Sequence, residues 1–466
     1  MGIGVDLIMG QAIQTAGDTG RLSRFTVMTD SRKPVMNGLF VPLVGEHFNG
    51  HRYLKQAIEN GAAASLWMER EPRPTDIPAD FPLFFVGDTL EALQGIAKSY
   101  LYRCRPKVVA ITGSNGKTTT KDMVYGILRK TFRTYKTRGN LNNHIGMPLT
   151  ILSMPEDTEV LVLEMGMNHF GELTFLSQLA KPDIAIITNI GESHIEFLGS
   201  RQGIARAKLE ITNGLRRGGT LIIDGDEPLL SNIHTKAFRI VSCGYSDDCD
   251  WEITEVKERA DGYRFSLNHG ENVYTVPVLG RHNVKNAVYS LAAARILNVS
   301  RPSIEEGLSH LSLTQMRFEK VRGLNGSLLI NDCYNASPTS MRASLETLKT
   351  LGGFEKRVAV VGDMYELGRD EERLHNSVAR VLTPPLTHVV TIGKKGAWIV
   401  EPLQTSEKDR ALSVRSFSAK EDALPYLKML LDDRTVMLFK ASRLLQLEEL
   451  VKVLSGSPLP QKLSSD

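Results

Sequence analysis

The stretch Lys107-Val108-Val109-Ala110-Ile111-Thr112-Gly113-Ser114-Asn115-Gly116-Lys117-Thr118-Thr119-Thr120 decides how this chain is read. Its first half is a short apolar run of strand length, and the segment after it, Lys121 to Lys130 (KDMVYGILRK), has helical spacing. A strand that passes through a glycine turn into a helix is the geometry that holds a polyphosphate. Gly113 and Gly116 let the backbone N–H groups of Ser114, Asn115 and Thr119 curl around phosphate oxygens, and the helix N-terminus adds its positive dipole end. Lys117 supplies a point charge and the Thr118 hydroxyl can hold magnesium. The alternative is an ordinary strand-to-helix turn, and the match on both sides of the glycines argues against it.

Outward from this loop, apolar runs alternate with helical patterns: EVLVLEMG, DIAIITNIG and GTLIIDGDE follow, then a hairpin-like polar stretch from Trp251 to Val278 and a closing helix NVKNAVYSLAAARIL. Upstream, Gly38 to Trp67 reads strand, loop, helix, strand, and Glu71 to Pro82, with four prolines, must be loop. Downstream lie the strands SLLINDCYN, RVAVVGDM, HVVTIG and RTVMLFK, a last helix LLQLEELVKVL, and a polar tail, Ser455 to Asp466, expected to be disordered. The class is α/β with parallel sheets. With roughly 150 residues per domain, 466 residues suggest about three, and we expect them at 1–105, 106–315 and 316–466.

Composition excludes several classes. Hydrophobic residues at 42% and charged residues at 23% argue against disorder or coiled coil, and 56 basic against 53 acidic residues leave too small a charge to suggest nucleic acid as a partner. An anionic ligand must be caught locally. Cys104, Cys243, Cys249 and Cys333 form no C-x-x-C pair, no apolar run reaches the length of a membrane span, and the N-terminus has no basic n-region. The expectation is a cytoplasmic monomer.

Position 111 is Ile where the strict Walker A pattern needs Gly. The shorter form T-G-S-N-G-K-T-T resembles the ATP loop of the Mur ligase family, which includes the muramyl peptide ligases and the folylpolyglutamate synthetases. The resemblance extends over all three blocks. It implies a central P-loop ATPase domain on a parallel sheet, an N-terminal UDP-binding α/β domain and a C-terminal Rossmann-like domain, with ATP and Mg2+ as cofactors.

Several residues gain roles from it. Glu164 ends the strand EVLVLE at the carboxyl edge of the sheet, where its carboxylate suits magnesium and matches the family's E-M-G; a capping or solvated Glu is the alternative. His194, in N-I-G-E-S-H, resembles a metal-binding histidine, although Ser193 stands where the family more often has Ala and a packed surface His is the other reading. Lys208, in A-R-A-K-L-E-I, resembles a lysine that is carbamylated in several muramyl ligases, against the alternative of a surface lysine on an amphipathic helix. Asn283, in G-R-H-N-V-K-N, would take the adenine side or cap its helix, with His282 and Asn286 as weaker candidates. Arg317, in M-R-F-E, resembles the arginine that reaches ATP phosphates when domains close, and Asp332 the aspartate near the ribose, unless it caps the helix at Pro338. Lys117, Lys208 and Arg317 form the implied catalytic set.

The substrate side rests on the same resemblance. Ser31 and Arg32, with the loop Gly45 to His51, are similar to uridine-diphosphate-recognition loops, a surface turn being the alternative; Asn142 and Asn143 would line the same ligand. Lys440 and Arg443, in K-A-S-R, would contact substrate, with Ala441 replacing the usual Gly. No D-N-P-R motif of the diaminopimelate-adding members occurs. The implied substrates are therefore UDP-N-acetylmuramoyl-tripeptide and D-alanyl-D-alanine. Addition of diaminopimelate or lysine, folate extension and a nucleotide-switch ATPase are the competing readings.

Overall fold

The computed structural model describes residues 2–20, 23–269, 272–403 and 412–456; the expected disorder of the tail falls at 457–466, outside the described residues. Three α/β units follow one another, each built on its own main sheet. The first sheet runs Ile3–Gly4, Arg24–Met28, Gly38–Phe40, Ala62–Met68, Leu83–Val86, Gln14–Ala16, parallel in its interior and antiparallel at both edges. Between Met68 and Leu83 lies loop, as four prolines require. The helix Thr89–Cys104 is capped by Asp88, which accepts from the N–H groups of Leu90 and Glu91, and it ends at Arg105 in the left-handed conformation before Pro106.

The second sheet has nine strands in the order Thr134–Lys136, Val160–Glu164, Lys107–Thr112, Ile184–Ile187, Thr220–Asp224, Arg239–Gly244, Trp251–Arg259, Gly262–Leu267, Val273–Val276. Its first seven strands are parallel. The hairpin-like stretch proves to be the sheet's edge: its first strand ends the parallel run and the two after it pair antiparallel. Val108 to Ile111 are fully buried because helices cover both faces, which is why the run carries no polar alternation. On one face Met123, Val124 and Ile127 of the helix Lys117–Leu128 pack with Val284, Ala287, Val288 and Leu291 of the helix His282–Ile296. On the other, an unbroken apolar core joins Leu161, Leu173 and Leu176 to Ile96, Leu93 and Phe84 of the first unit.

The third sheet runs Glu319–Arg322, Leu328–Asn331, Thr435–Lys440, Lys356–Gly362, His388–Ile392, Ser413–Phe417, with only its first pair antiparallel. The last helix spans Glu448–Leu454, shorter than the expected Leu444–Leu454, because Gln446 turns left-handed after a single 3-10 turn at Arg443–Leu445.

Ile186 sits at the centre of the nine-stranded sheet with no exposed surface. Ile186→Ala is expected to destabilise that unit by about 2–5 kcal/mol, read as an earlier urea transition, since the packed strands on either side cannot close the cavity.

Candidate active site

The strand Lys107–Thr112 lies between Val160–Glu164 and Ile184–Ile187, with Ile111 in register with Glu164 and Thr112 with Ile187. Three loops therefore leave the same carboxyl edge, at the place where the chain reverses its direction of travel across the sheet. They form the floor of a cleft of about 780 Å³ whose opposite wall comes from the third unit, with Arg317, Asp332, Tyr334 and Lys440 among its lining.

The phosphate loop is held by a polar frame. Asn115 donates its N–H to Asn189 Oδ1 (2.9 Å), its carbonyl accepts from Thr188 Oγ1 and Asn189 Nδ2, and Ser114 Oγ accepts from the Gly191 N–H (2.8 Å). Gly116 has φ +83°, and a Cβ there would lie 2.7 Å from Asn286 Oδ1, so the loop needs glycine for both conformation and space. Asn286, which sequence reading ranked low, also accepts from Thr120 Oγ1 (3.2 Å) and donates to Asn283 Oδ1 (2.8 Å). Asn283 in turn donates to the Leu279 carbonyl (2.7 Å). Its side chain does not cap the helix, which starts behind Arg281 without a side-chain cap.

Lys117 Nζ folds back onto the carbonyls of Gly113 (2.6 Å) and Ser114 (3.3 Å). Desolvation by the surrounding protein pushes its pKa down to about 8, aided by the nearby Arg317 and opposed by Glu164. Glu164 is 2% exposed; its Oε1 accepts from Asn142 Nδ2 (3.0 Å), while Oε2 has no hydrogen-bond donor and lies 3.7 Å from Lys121 Nζ. Among the described residues no group of three or more His, Cys, Asp and Glu could hold a metal by itself. A buried carboxylate oxygen without a hydrogen-bond donor, at the same sheet edge as the phosphate loop, fits a hard cation.

His194 adopts φ +64°, and its Nδ1 lies 2.6 Å from Glu366 Oε2 of the third unit. The contact holds the Glu366 carboxyl below its ordinary range. Lys208, on the helix Arg201–Leu209, is 1% exposed and not on a surface face; burial and the neighbouring Lys117 push its pKa well below that of a free lysine. Among the described residues no carboxylate pairs with it.

Arg317 crosses from the third unit and donates from Nη2 to Thr118 Oγ1 (3.2 Å), its guanidinium stacked 4.1 Å above the Tyr334 ring. Asp332 does not cap the helix at Pro338, since Ser337 does so in a reciprocal capping box; instead Asp332 accepts from Lys440 Nζ and Ser344 Oγ, both at 2.7 Å. Lys440 and Asp332 thus line the cleft as a buried pair. Asn143 lines it too, with Oδ1 accepting from the N–H groups of Ile145 and Gly146. Arg443 lies beside a second cavity of about 540 Å³, paired with Glu448 (2.6 Å). Ser31 and Arg32 stand apart from the cleft in the first unit, bonded to Gln56 and Asp30 respectively. Thr188, Lys121 and Tyr334 carried no signal in the sequence, and Asn189 only as the first residue of the motif read for His194, because their partners Asn115, Glu164 and Arg317 lie far along the chain.

Further contacts tie the two walls: Ser337 Oγ to Asn115 Oδ1 (3.2 Å), and Thr339 Oγ1 and Arg342 Nη2 to the Glu192 carboxylate (2.6 and 3.4 Å).

A model of the Mur ligase middle domain matches residues 111–294, and one of the Mur ligase glutamate ligase domain matches residues 316–443. Over 435 residues, 93% of each chain, the sequence is 47% identical to UDP-N-acetylmuramoyl-tripeptide--D-alanyl-D-alanine ligase of Bacillus subtilis (strain 168). The chain belongs to the Mur ligase family. Among solved structures this Mur ligase resembles MurF from Acinetobacter baumannii, with TM-score 0.86 and 30% identity over 98% of this chain and 99% of that one. It also resembles the MurF ligase of Thermotoga maritima in complex with ADP, with TM-score 0.79 and 27% identity over 92% and 97% of the two chains. No helix among the described residues is long and apolar enough to cross a membrane.

The lowered pKa of Lys117 makes a measurable difference to nucleotide binding. Phosphate favours the charged ammonium and so raises the pKa on binding; above about pH 8 the free enzyme must take up a proton to bind. Calorimetric titration with ADP in buffers of different ionisation enthalpy should show uptake approaching about one proton near pH 9, falling as the pH drops below about 8. Lys117→Met should abolish it.

Proposed function

We propose that this Mur ligase joins the amine of D-alanyl-D-alanine to the terminal carboxylate of UDP-N-acetylmuramoyl-tripeptide at the expense of ATP, in the cytoplasm, acting as a monomer, on domains at 1–105, 106–315 and 316–466. The observation that carries this reading is that Arg317, from the third unit, reaches Thr118 on the phosphate loop whose own Lys117, bonded to the Gly113 carbonyl, lies near enough to feel its charge. Two cations that meet only when the units are together suit a reaction whose charge develops on a transferring phosphoryl group. The names borne by the relatives supply the substrates.

A carboxylate is a poor acylating agent, so the peptide's carboxylate first attacks the γ-phosphate, giving an acyl phosphate and ADP. The amine then adds to the acyl carbon, and the tetrahedral adduct expels phosphate as the amide forms. Lys117 and Arg317 stabilise the charge on the phosphoryl oxygens, and closure of the third unit excludes water and aligns the groups. Thr118, Glu164 and His194 are the residues that would hold magnesium, which when bound neutralises charge on the nucleotide phosphates. Asn142, through its bond to Glu164, orients that carboxylate as well as facing the cleft.

Lys208 is suited to carbamylation: once deprotonated, its amine would add CO₂ and release a proton, leaving in place of an unpaired buried ammonium an anion that would help hold magnesium. Asn283 sits on the adenine side and Asp332 near the ribose, with Lys440 holding Asp332. Ser31 and Arg32 take the uridine diphosphate, Asn143 and Arg443 the peptide arm. Their separation from the phosphate loop suits a long substrate that spans the first unit and the cleft.

Phosphate release from ATP and magnesium with UDP-N-acetylmuramoyl-tripeptide should depend on D-alanyl-D-alanine and not on diaminopimelate or lysine. Release at the same rate without an amine would replace the ligase by an ATPase. Arg317→Ala should lower kcat by about 10²–10³. Carbon-13 bicarbonate should give a carbamate resonance that Lys208→Ala removes.

A further inference from the structure

The helix that presents Thr118 carries a second residue toward the third unit. Asp122, one turn further along and 1% exposed, divides its carboxylate between two tasks. Oδ1 accepts from Lys136 Nζ (2.6 Å) and lies 3.6 Å from Lys121 Nζ. Oδ2 accepts from both the backbone N–H (2.7 Å) and the hydroxyl (2.8 Å) of Thr314. One lysine would have sufficed to neutralise a buried carboxylate; the second oxygen is spent entirely on one residue of the linker between the units.

Thr314 is three residues before Arg317, as Thr118 is four residues before Asp122. The helix face thus grips the linker at both ends of a short span: Asp122 holds Thr314, and Thr118 receives Arg317. On either side of Arg317 the backbone is constrained. Met316 and Phe318 both adopt left-handed conformations (φ +59° and +53°), which side chains of their size rarely take. Their N–H groups are caught from the third unit, by Glu319 Oε2 (3.0 Å) and Asp332 Oδ1 (3.3 Å). Among the described residues, neither Gln315 nor Met316 is hydrogen-bonded to the central unit, so Asp122 fixes where the arginine's reach begins.

We propose that Asp122 is a positioning residue for the phosphoryl-transfer step: it anchors the interdomain linker at Thr314 on the phosphate-loop helix and so sets the distance at which Arg317 meets the nucleotide. This rests on the reading of Arg317 as the phosphate-engaging arginine.

The test is a double-mutant cycle on the full chain, with kcat, KM for ATP and thermal midpoint measured for Asp122→Asn, Thr314→Val, Arg317→Ala and the two pairs with Arg317→Ala. Asp122→Asn should lower kcat about ten- to hundredfold with KM for ATP changed less than about threefold, and Thr314→Val, which keeps the backbone bond, about threefold. In the Arg317→Ala background each should cost less than about twofold further, because the group they position is gone. Full multiplication of the effects in that background, or a KM rise that accounts for the loss, would overturn the proposal. If Asp122→Asn does not fold, the Thr314→Val cycle decides by the same criterion. Wild-type kcat in Arg317→Ala would instead overturn the reading of Arg317 and this inference with it, so the two failures are distinct.

Discussion

Parallel pairing on both sides of one strand is the constraint from which the site follows. Because Lys107–Thr112 is flanked by Val160–Glu164 and Ile184–Ile187 in the same direction, the phosphate loop, the Glu164 turn and the loop leading to His194 must emerge together at one edge. None of these segments is close to another in the chain. The sheet's hydrogen-bond register, not local preference, brings Glu164 level with Ile111 and so within reach of the helix start.

That edge is charged in an unusual way for a protein of net charge +3. Lys117 and Lys208 are desolvated near each other, and Lys117 satisfies itself on the carbonyls of its own loop. Burying ammonium groups without carboxylate partners is costly, and the cost is sustained only where a ligand of opposite charge completes the site. Glu164 shows the converse, a buried carboxylate oxygen with no donor. Nucleotide phosphates would offset the first deficit, and the second is of the kind a divalent cation would fill.

The two neighbouring units are attached differently, and this bears on how the ligase works. The first unit shares a continuous apolar core with the central one, and Tyr100 donates to the Met154 carbonyl (2.8 Å) across the junction. The third unit meets the cleft mainly through polar contacts, Arg317 to Thr118, Ser337 to Asn115, Thr339 and Arg342 to Glu192, and His194 to Glu366, while Leu279 and Ile195 of the central unit pack against its apolar core. Apolar junctions resist separation, while hydrogen bonds exchange with water at little net loss.

The sequence by itself determined the α/β class, the strand, turn and helix of the phosphate loop, and the identity of the groups that carry charge, because these depend on periodicity, glycine placement and side-chain chemistry within a few residues. It could not tell whether Asn283 and Asp332 cap helices, since capping is settled by where the backbone turns, and Arg281 and Ser337 occupy those positions. Nor could it distinguish Lys208 from a surface lysine, raise Asn286 above a weak candidate, or find Lys121, Tyr334 and Asp122, whose partners lie in other elements. Only the tertiary structure decided which polar atoms are shut away from water and which of them face one another, because burial is a property of the packed chain and not of any segment of it.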